Sequence, residues 1–537
     1  MRHHFFLFFV LLIIAFHSLH AQSSFGGDVM INSNFFMRDT SIGASDNPLY
    51  DNLLTGSEGW LNLNYNNYDI GLDAGVRFDF FYNSNLHDPQ LPYSNQGIGS
   101  FFLRKKIDKL TITGGHFYEQ FGSGMAFRAY EDRTLGIDKA IFGLHLKYEL
   151  NNYLTFKVFG GKQKHLFSFY NPIIKGANAE GFFSIGDHLQ LTPGVSVINR
   201  TLDQASMDIV VSNIEAMDPA DRFVPKYNVC VFSGYNNASY TFGKNTLSWF
   251  AEYAAKTNEA FYDTDGKLKD GDGNSLYSTI TYSRKGFGIT AQFRRTERFS
   301  FRTSPNETLL LGVLNYLPPV NPQTSYRLPA RYTPQALDLD EFAYGVDATF
   351  TPAKGYSVQL NYTWIENLKH KHLFTHVMGE VEMKLKPKWS LRIGAQYMEY
   401  NQLHYQLEGD SDLVAITPFA EFVYKINKKH SFHIEAQHMS TAEDFGSWIY
   451  GQVEYDIAPK WAFAVSDMYN YKPNAESSND VGRKSNHYYS VFTSYTNKAT
   501  RFTLAYVKQV EGVVCTGGVC RLEPAFSGIK LGITSSF

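Results

Sequence analysis

The chain has 537 residues, of which 16% are aromatic, with 35 Tyr and 44 Phe, and only 19% are charged. Soluble domains usually carry about 25% charged residues, so this composition argues against a string of ordinary soluble domains. The net charge of -3 excludes the basic footprint of a nucleic-acid-binding protein. Many aromatics and few charges suit a surface that faces lipid through alternate residues only.

The N-terminus has the pattern of an export signal. Residues 2–4 are a short cationic start, residues 5–16 are an unbroken apolar run, and a cleavage site is predicted after Ala21. An uncleaved helical anchor is the alternative, but the apolar run is shorter than the ~20 residues that span a bilayer. We therefore assign residues 1–21 to a signal peptide and residues 22–537 to one domain.

From residue 25 onward the apolar residues repeat with a period of two. In the segment 389–397, apolar residues at odd positions alternate with Ser390, Arg392 and Gly394. One apolar and one polar face on strands of about ten residues is typical of a transmembrane β-barrel. Such a barrel satisfies every peptide group in lipid without a transmembrane helix. The pattern therefore predicts an all-β, antiparallel transmembrane barrel.

Short polar turns alternate with longer loops along the chain. We find eleven such turns, at residues 66–69, 107–109, 149–152, 185–187, 242–245, 283–286, 351–355, 386–388, 426–429, 457–460 and 496–498. With a first and a last strand they predict about 24 strands, within a range of 20–26. Short periplasmic turns and long extracellular loops are the usual asymmetry of outer-membrane barrels.

A soluble β-sandwich or propeller is the alternative fold, since strand pairs with polar turns occur in both. No blade-length repeat is present, and aromatic residues cluster at strand ends. These aromatics would form girdles at the two membrane interfaces: Trp60, Trp249, Trp389, Tyr397, Tyr400, Trp461, Tyr469 and Tyr471. The barrel is therefore the favoured fold.

The segment 121–133 breaks the strand pattern and concentrates Arg128, Glu131, Asp132 and Arg133. A constriction inside a pore uses opposed charges of this kind to select ions, so these four residues are our constriction candidates. Gly122 and Gly124, in the same segment, have the spacing of an anion-binding nest. The alternative is a self-paired cluster that pins an internal loop for stability.

The stretch 263–274 is acidic and rich in glycine. Its carboxylates, Asp263, Asp265, Asp270 and Asp272, are weak candidates for a Ca²⁺ site, because hard cations prefer oxygen ligands. The spacing of an EF-hand loop is not met, and lysines interrupt the acidic run. A solvated loop tip is the favoured interpretation.

Residues 311–337 form the longest interval without a strand pattern and contain five prolines and three tyrosines. A stiff, aromatic segment of this kind either caps the barrel or docks a partner. A solvent-exposed loop is the alternative, and the sequence does not decide between them.

No catalytic or metal motif stands out. The 17 His are scattered, with a small group at His370, His372 and His376, and no Gly-x-Ser-x-Gly or His-Glu-x-x-His pattern occurs. We expect no enzymatic activity and no cofactor. Cys515 and Cys520 are separated by a Gly-Gly step, and in an oxidising compartment they are expected to form a disulfide across a hairpin; a metal site is the less favoured alternative.

The last ten residues carry the clearest signal. Ile529, Leu531, Ile533 and Phe537 share one face of a final strand that begins at Gly528. The pattern resembles the β-signal read by the barrel-assembly machinery, whose hallmark is a terminal aromatic. We therefore assign Gly528, Leu531, Ile533 and Phe537 to the assembly signal and expect the assembly machinery to be a partner during insertion.

The chain resembles a family of outer-membrane barrels from Bacteroidota that has no assigned function, at residues 115–133, 135–138, 515–521 and 528–537. The resemblance implies the barrel fold and the outer membrane, with lipid as the surroundings, and it transfers no site residues. Our first hypothesis for function is a pore or transport protein. The alternative is a structural or accessory subunit of a larger outer-membrane complex, in secretion or barrel assembly, with other proteins as partners.

Overall fold

The chain folds into a closed antiparallel β-barrel of 24 strands. The computed structural model describes residues 23–263, 266–407, 409, 412–516 and 519–537, so the predicted signal peptide lies outside the described residues. Each strand pairs with its neighbours in sequence, and the last strand pairs with the first from Asp28 opposite Ser536 to Phe36 opposite Gly528. This last pairing closes the sheet and removes its edges.

The barrel strands are numbered in chain order. Their bounds are β1 Ser23–Phe36, β2 Thr55–Asn67, β3 Leu72–Ser84, β4 Tyr93–Ile107, β5 Leu110–Phe117, β6 Ile141–Glu149, β7 Leu154–His165, β8 Ile173–Gly181, β9 Leu189–Thr201, β10 Asn228–Phe242, β11 Asn245–Tyr262, β12 Leu268–Arg284, β13 Phe287–Glu297, β14 Asp340–Phe350, β15 Tyr356–Glu366, β16 His372–Lys386, β17 Trp389–Tyr400, β18 Leu413–Lys425, β19 His430–Met439, β20 Gly446–Ile457, β21 Trp461–Pro473, β22 His487–Asn497, β23 Thr500–Gln509 and β24 Phe526–Ser536.

Smaller elements lie between the strands. Two helices, α1 Gln204–Glu215 and α2 Gln402–Gln406, and short helical turns at Thr40–Ile42, Leu49–Leu53, Pro219–Asp221 and Pro329–Tyr332 belong to the long loops. Short strand pieces are Glu119–Phe121 with Phe127–Ala129, Glu131–Asp132 with Ile137–Asp138, Gly512–Thr516 with Val519–Glu523, Ser168–Phe169 beside β7, and Phe183–Ile185 beside β9.

All eleven predicted short turns connect strands at one end of the barrel, which we call the short-turn end. The other connections, which include residues 118–140, 202–227 and 298–339, lie at the opposite, long-loop end. The predicted strand count and the alternation of turns and loops are confirmed. Because the count is even, both ends of the described chain lie at the short-turn end.

The two faces of each strand differ as the sequence pattern predicts. On β21, Phe463 and Val465 are exposed on the outer face, whereas Met468 and Asn470 point inward and are buried. Aromatic residues crowd the outer surface near the short turns, as a membrane-interface girdle requires. They include Tyr68, Tyr148, Tyr153, Phe182, Tyr240, Phe242, Phe350, Tyr356, Tyr424 and Trp461.

The assignment to the aromatic girdles is wrong for two of the predicted residues. Trp60 and Tyr400 point into the barrel and are 5% and 2% exposed, because each continues the inward face of its strand. Trp60 packs edge-on against Phe81, and Tyr400 stacks on Tyr405. An aromatic residue at a strand end thus does not by itself indicate the lipid interface.

The acidic stretch 263–274 is mostly strand. Its interpretation as a solvated loop tip is therefore wrong for residues 268–274, which belong to β12. Strands β11 and β12 extend past the rest of the wall, and β12 begins at Leu268, so Asp270 and Asp272 lie within it. Gly273 lies in β12 directly beside the backbone of Arg298. A Cβ at this position would lie 1.9 Å from the carbonyl oxygen of Arg298, so only glycine fits.

Among the described residues, no helix has the length and apolar character needed to cross a membrane.

Candidate functional site: an occluded lumen

Two long connections fold into the barrel. We call residues 118–140, between β5 and β6, the first inner segment, and residues 298–339, between β13 and β14, the second inner segment. Their apolar residues are buried against the inward faces of the strands, as shown by Phe121, Phe127 and Leu328, which are at most 1% exposed. The stretch 311–337 is therefore an internal cap of the barrel, and its interpretation as a solvent-exposed loop is wrong.

The first inner segment begins with a hairpin that grips a wall carboxylate. Gly122 and Gly124 both have positive φ, and the backbone N–H of Ser123 donates to Oε2 of Glu252 on β11 at 2.7 Å. The predicted nest thus gives one N–H contact, to the chain's own Glu252. This contact ties the hairpin to β11, six strands along the wall from β5.

A buried charge network holds the rest of this segment. On β3, Arg77 is 3% exposed and contacts Asp79 at 2.6 Å, Asp138 at 2.5 Å and Glu131 at 2.8 Å. Lys164 on β7 also pairs with Asp138. Burial alone would raise the pKa of the Asp138 carboxyl, but Lys164 and Arg77 lower it well below its usual range. The segment is thus fixed to two wall strands by ion pairs shielded from water.

Two of the four constriction candidates, Glu131 and Arg133, pair with each other, and the other two have other partners. Arg128 lies over the rings of Tyr130 and Tyr316, at 4.3 and 4.1 Å from the ring centroids. Glu131 binds Arg77 and Arg133, and Asp132 accepts hydrogen bonds from its own turn at Thr134. Arg133 pairs with Glu131 and lines a lumenal cavity. The cluster lies inside the barrel, and its role as a selectivity constriction stays a prediction.

Lys139 is a buried cation at the end of the first inner segment. It is 7% exposed, and its ammonium lies 5.1 Å from the centroid of the Tyr130 ring. Burial, together with the nearby Arg302 and Arg128, lowers the pKa of Lys139 to about 7.

The two inner segments are joined to each other. The N–H of Arg128 donates to the carbonyl of Leu314 at 2.9 Å, and the N–H of Tyr316 donates to the carbonyl of Gly124 at the same distance. Their apolar side chains share one buried cluster that includes Phe127 and Leu314. They therefore form a single body inside the lumen.

One wall anchor of the second inner segment lies near its start. Glu259 on β11 pairs with Arg200 at 2.7 Å and with Lys256 at 2.9 Å. The Arg200 guanidinium also donates to the carbonyl of Thr303 at 3.3 Å, and the Lys256 ammonium donates to that of Ser300 at 2.5 Å. Three buried wall charges thus hold residues 300–303.

A second anchor lies on β13 and β14. Arg294 and Glu341, both at most 1% exposed, pair with each other across the two strands. Arg294 also donates to the carbonyl of Pro318, and Glu341 accepts from the N–H of Leu337 at 3.0 Å. One ion pair therefore holds both ends of the proline-rich stretch.

The segment then reaches the opposite wall. The N–H of Leu328 donates to Oε1 of Gln437 on β19 at 2.7 Å, and the hydroxyl of Tyr332 donates to Asp444 at 2.6 Å. On the near side, Gln163 of β7 donates to the carbonyl of Val313 at 3.0 Å. Strands β7 and β19 are twelve apart in a barrel of 24. The second inner segment consequently crosses the lumen along a diameter.

A cavity of about 600 Å³ remains between this crossing and the wall formed by β20–β24, β1 and β2. Its charged lining consists of five cations and two anions: Arg133, Arg327, Lys508, Arg521, Lys530, Glu58 and Glu523. Apolar surface comes from residues such as Tyr450, Met468 and Phe526. A concavity of this volume with a mixed polar and apolar lining has the size of a small-molecule site.

The weak calcium candidates do not converge. Asp263 pairs with Lys269 at 2.6 Å, Asp270 accepts from Asn258, and Asp272 pairs with Arg298. Asp265 lies outside the described residues. Within the part of the chain that the structure describes, no three His, Cys, Asp or Glu residues are grouped so that they could hold a metal ion.

The three grouped histidines also have separate partners. His370 lies 3.0 Å from Glu366, His372 lies 2.7 Å from Thr375, and His376 lies 2.5 Å from Asn361.

The predicted disulfide lies on a short hairpin at the long-loop end. The backbone register sets Cys515 directly opposite Cys520. The side chain of Cys515 lies outside the described residues, so the bond stays a prediction.

The assembly-signal residues lie on the closing strand. Gly528 has a φ of +146°, and a Cβ there would lie 1.9 Å from the carbonyl oxygen of Phe35. Phe537 exchanges two backbone hydrogen bonds of 2.9 Å with Gly27, and its ring is 62% exposed. Leu531 faces outward beside it. The role of these residues in assembly stays a prediction.

The wall residues that hold the inner segments were not predicted from the sequence. They are charged residues within strand patterns: Arg77, Asp79, Lys164, Arg200, Glu252, Lys256, Glu259, Arg294 and Glu341. Locally nothing marks them, because a charge on the lumenal face of a strand looks the same whether it faces water or a buried partner.

A family model described as a family of unknown function, DUF6029, matches residues 1–537. The chain belongs to this family. Family membership agrees with the resemblance noted in the sequence to a barrel family without an assigned function. No curated protein matches the sequence.

Several solved outer-membrane barrels are similar to the chain. The P pilus usher (PapC) translocation pore has a TM-score of 0.46 at 10% identity, covering 96% of this chain and 99% of that one. The siderophore receptor PirA from Pseudomonas aeruginosa has a TM-score of 0.42 at 9% identity, with coverage of 97% and 81%. OccK5 (OpdH) from P. aeruginosa has a TM-score of 0.37 at 12% identity, with coverage of 74% and 96%.

Proposed function

We propose that the chain is an outer-membrane pore whose passage is gated by the second inner segment. The observation that carries the proposal is the crossing of the lumen from β7 to β19 by residues 313–328. A barrel of 24 strands is wide enough to conduct unless something fills it. The crossing segment fills it from within the same chain.

The second inner segment is held in the lumen by two kinds of contact. Leu314, Val320 and Leu328 are buried in apolar clusters with wall residues, and Arg294 and Gln437 bind its backbone through hydrogen bonds. Water can replace the polar partners once the segment moves, and the apolar contacts keep the segment in the lumen at rest. A polar inner wall also leaves an aqueous path after the segment is displaced.

We propose that the chain is not an enzyme. We also propose that it resides in the outer membrane, to which a signal peptide at residues 1–21 directs its export. The short-turn end would then face the periplasm. We also propose the Bacteroidota origin that the sequence resemblance implies, and assembly-machinery contact during insertion. An accessory role in a larger outer-membrane complex is the alternative proposal, and co-purifying protein partners in near-stoichiometric amounts would favour it.

Planar-bilayer conductance of the purified chain tests the gated pore. A variant in which residues 304–336 are replaced by a short Gly-Ser linker should conduct steadily, whereas the intact chain should show only brief openings. A matched control shortens the loop tip at 263–267 and should behave like the intact chain. Steady conductance by the intact chain, or none by the linker variant once it is shown to form a heat-resistant barrel, would contradict the proposal.

A further inference from the structure

The cavity between the second inner segment and the β20–β2 wall contains cations without matching anions. Of its five cations, three have carboxylate partners: Arg133 with Glu131, Lys508 with Asp39 at 2.8 Å, and Arg521 with Glu523 at 3.0 Å. Two remain, Arg327 and Lys530. Among the described residues, neither has a carboxylate within ion-pair distance.

Arg327 belongs to the segment that crosses the lumen, yet its side chain is exposed to the cavity. The nearest negative charge that acts on it is Glu523, which already accepts from Arg521 at 3.0 Å and from Gln509 at 2.8 Å. Another cation, Arg331, lies close to it. A guanidinium in this position has its planar donors free for a ligand.

Lys530 projects from the closing strand β24. Its ammonium lies 4.4 Å from the centroid of the Phe526 ring, and its charged neighbours, none of them at ion-pair distance, are Glu523, Arg327, Arg521 and Glu58. Glu58, the second lining anion, accepts from the hydroxyl of Ser84 at 2.6 Å. The buried Nε of Arg521 also has no hydrogen-bond partner among the described residues. Hydrogen-bond donors of Arg327, Lys530 and Arg521 that bind no carboxylate or other acceptor of the described chain thus line the same cavity.

We propose that this cavity binds a small organic acid with two carboxylates, one held by Arg327 and the other by Lys530. Neither cation has a carboxylate of the chain within ion-pair distance, so each can take one carboxylate of a ligand, and Arg binds a carboxylate through two parallel hydrogen bonds. The volume of about 600 Å³ greatly exceeds that of a phosphate ion. The apolar surface of Met468, Tyr450 and Phe526 suits a carbon skeleton between the carboxylates.

The role of this site in transport rests on the gated pore proposed above, whereas binding itself does not. Arg327 is on the gate, so a ligand that bridges Arg327 and Lys530 would couple occupancy to the position of the gate. The site would then lie on the path of the solute.

Titration calorimetry on the purified full chain in detergent at low salt tests the site without any need for conductance. Succinate should bind to the wild-type chain, and dimethyl succinate, which lacks the charges, should not. Arg327→Gln and Lys530→Gln should each weaken succinate binding by about tenfold or more, which corresponds to the loss of one charged contact.

The control is Arg501→Gln, which removes a lumenal cation of β23 outside the cavity and should leave binding unchanged. Inorganic phosphate should bind more weakly than succinate. Binding of phosphate in preference to succinate, equal binding by all variants, or no binding of succinate by the wild-type chain would overturn the assignment. If the chain binds succinate but never conducts, the binding site is supported and the proposal of a gated pore is contradicted.

Discussion

Lys139 is buried beside two other cations, and this arrangement has a pH-dependent cost. Its folded pKa of about 7 lies below its ordinary value of 10.5, so the folded state binds fewer protons than the unfolded state between these values. Stability therefore rises with pH through this window, and the penalty for the buried charge is fully present below pH 7. The cluster of Lys139, Arg128 and Arg302 thus destabilises the contact between the two inner segments.

Lys139→Met should stabilise the barrel by about 1–3 kcal/mol near pH 6, because the substitution removes a buried charge. Near pH 11 the gain should vanish, since the wild-type lysine is then neutral in both states. Heat-unfolding midpoints at both pH values measure the effect. Lys244→Met, in an exposed short turn, is the control, and an equal gain at both pH values would contradict the account.

Gly122→Ala should loosen the hairpin that holds Glu252. The added Cβ would lie 2.6 Å from Oε2 of Glu252, and the φ of +54° costs about 1–2 kcal/mol for a residue other than glycine. Hydrogen exchange of the Ser123 amide should accelerate by about tenfold. Gly288→Ala, where no atom lies within 4 Å of the new Cβ, should have no such effect. Unchanged exchange in Gly122→Ala would show that the nest does not hold the hairpin.

At the scale of elements, the inner segments are held by wall strands through paired charges. The Arg294–Glu341 pair is completely buried and also holds Pro318 and Leu337. Removal of one partner of a buried pair leaves an uncompensated charge and costs about 3–5 kcal/mol. The cost should fall on the inner segment, because the strands themselves are held by continuous ladders of backbone hydrogen bonds.

Glu341→Ala should therefore make residues 298–339 accessible to added protease while the barrel stays heat-resistant on a gel. Asp187→Ala, at an exposed short turn, should leave the segment protected. Protection of the segment in both variants would mean that the ion pair is not an anchor. Loss of the barrel itself in Glu341→Ala would mean that the pair supports the wall instead.

On the closing strand β24, we expect a substitution to affect the assembly of the barrel more than its stability. The Phe537 ring is exposed and its strand pairing is made by the backbone, so the assembled barrel of Phe537→Ala should stay heat-resistant on a gel. If Phe537 is part of the assembly signal, the amount of assembled barrel in cells should still fall severalfold. The heat-modifiable fraction in membranes measures this, with Ser536→Ala as control. Normal assembly of Phe537→Ala would contradict its role in the signal.

At the scale of the molecule, the sequence predicts the barrel well and the interior poorly. The strand period and the eleven polar turns each depend on neighbouring residues, so 24 strands could be counted without a structure. The crossing of the lumen depends on contacts such as Val313 with Gln163 and Leu328 with Gln437, which are more than 100 residues apart. Nothing local distinguishes an inward-folded proline-rich segment from an exposed one.

The burial of charged residues inside the lumen could not be predicted from the local sequence pattern either. Arg77 and Asp79 continue the polar face of β3 as water-facing residues would, yet the first inner segment covers both. The same holds for Trp60, which looks like an interface residue but packs inside. The filling of the lumen by the two inner segments therefore follows from tertiary packing and not from the local sequence pattern.

The measurement that tests the gate most directly is single-channel recording with the crossing segment locked. Leu328→Cys and Gln437→Cys, where the N–H of Leu328 meets Gln437 at 2.7 Å, can be joined by a short cleavable thiol linker. We expect openings to cease while the linker is intact and to return when it is cleaved. Equal opening rates in the linked and cleaved states would contradict the claim that the second inner segment gates the lumen.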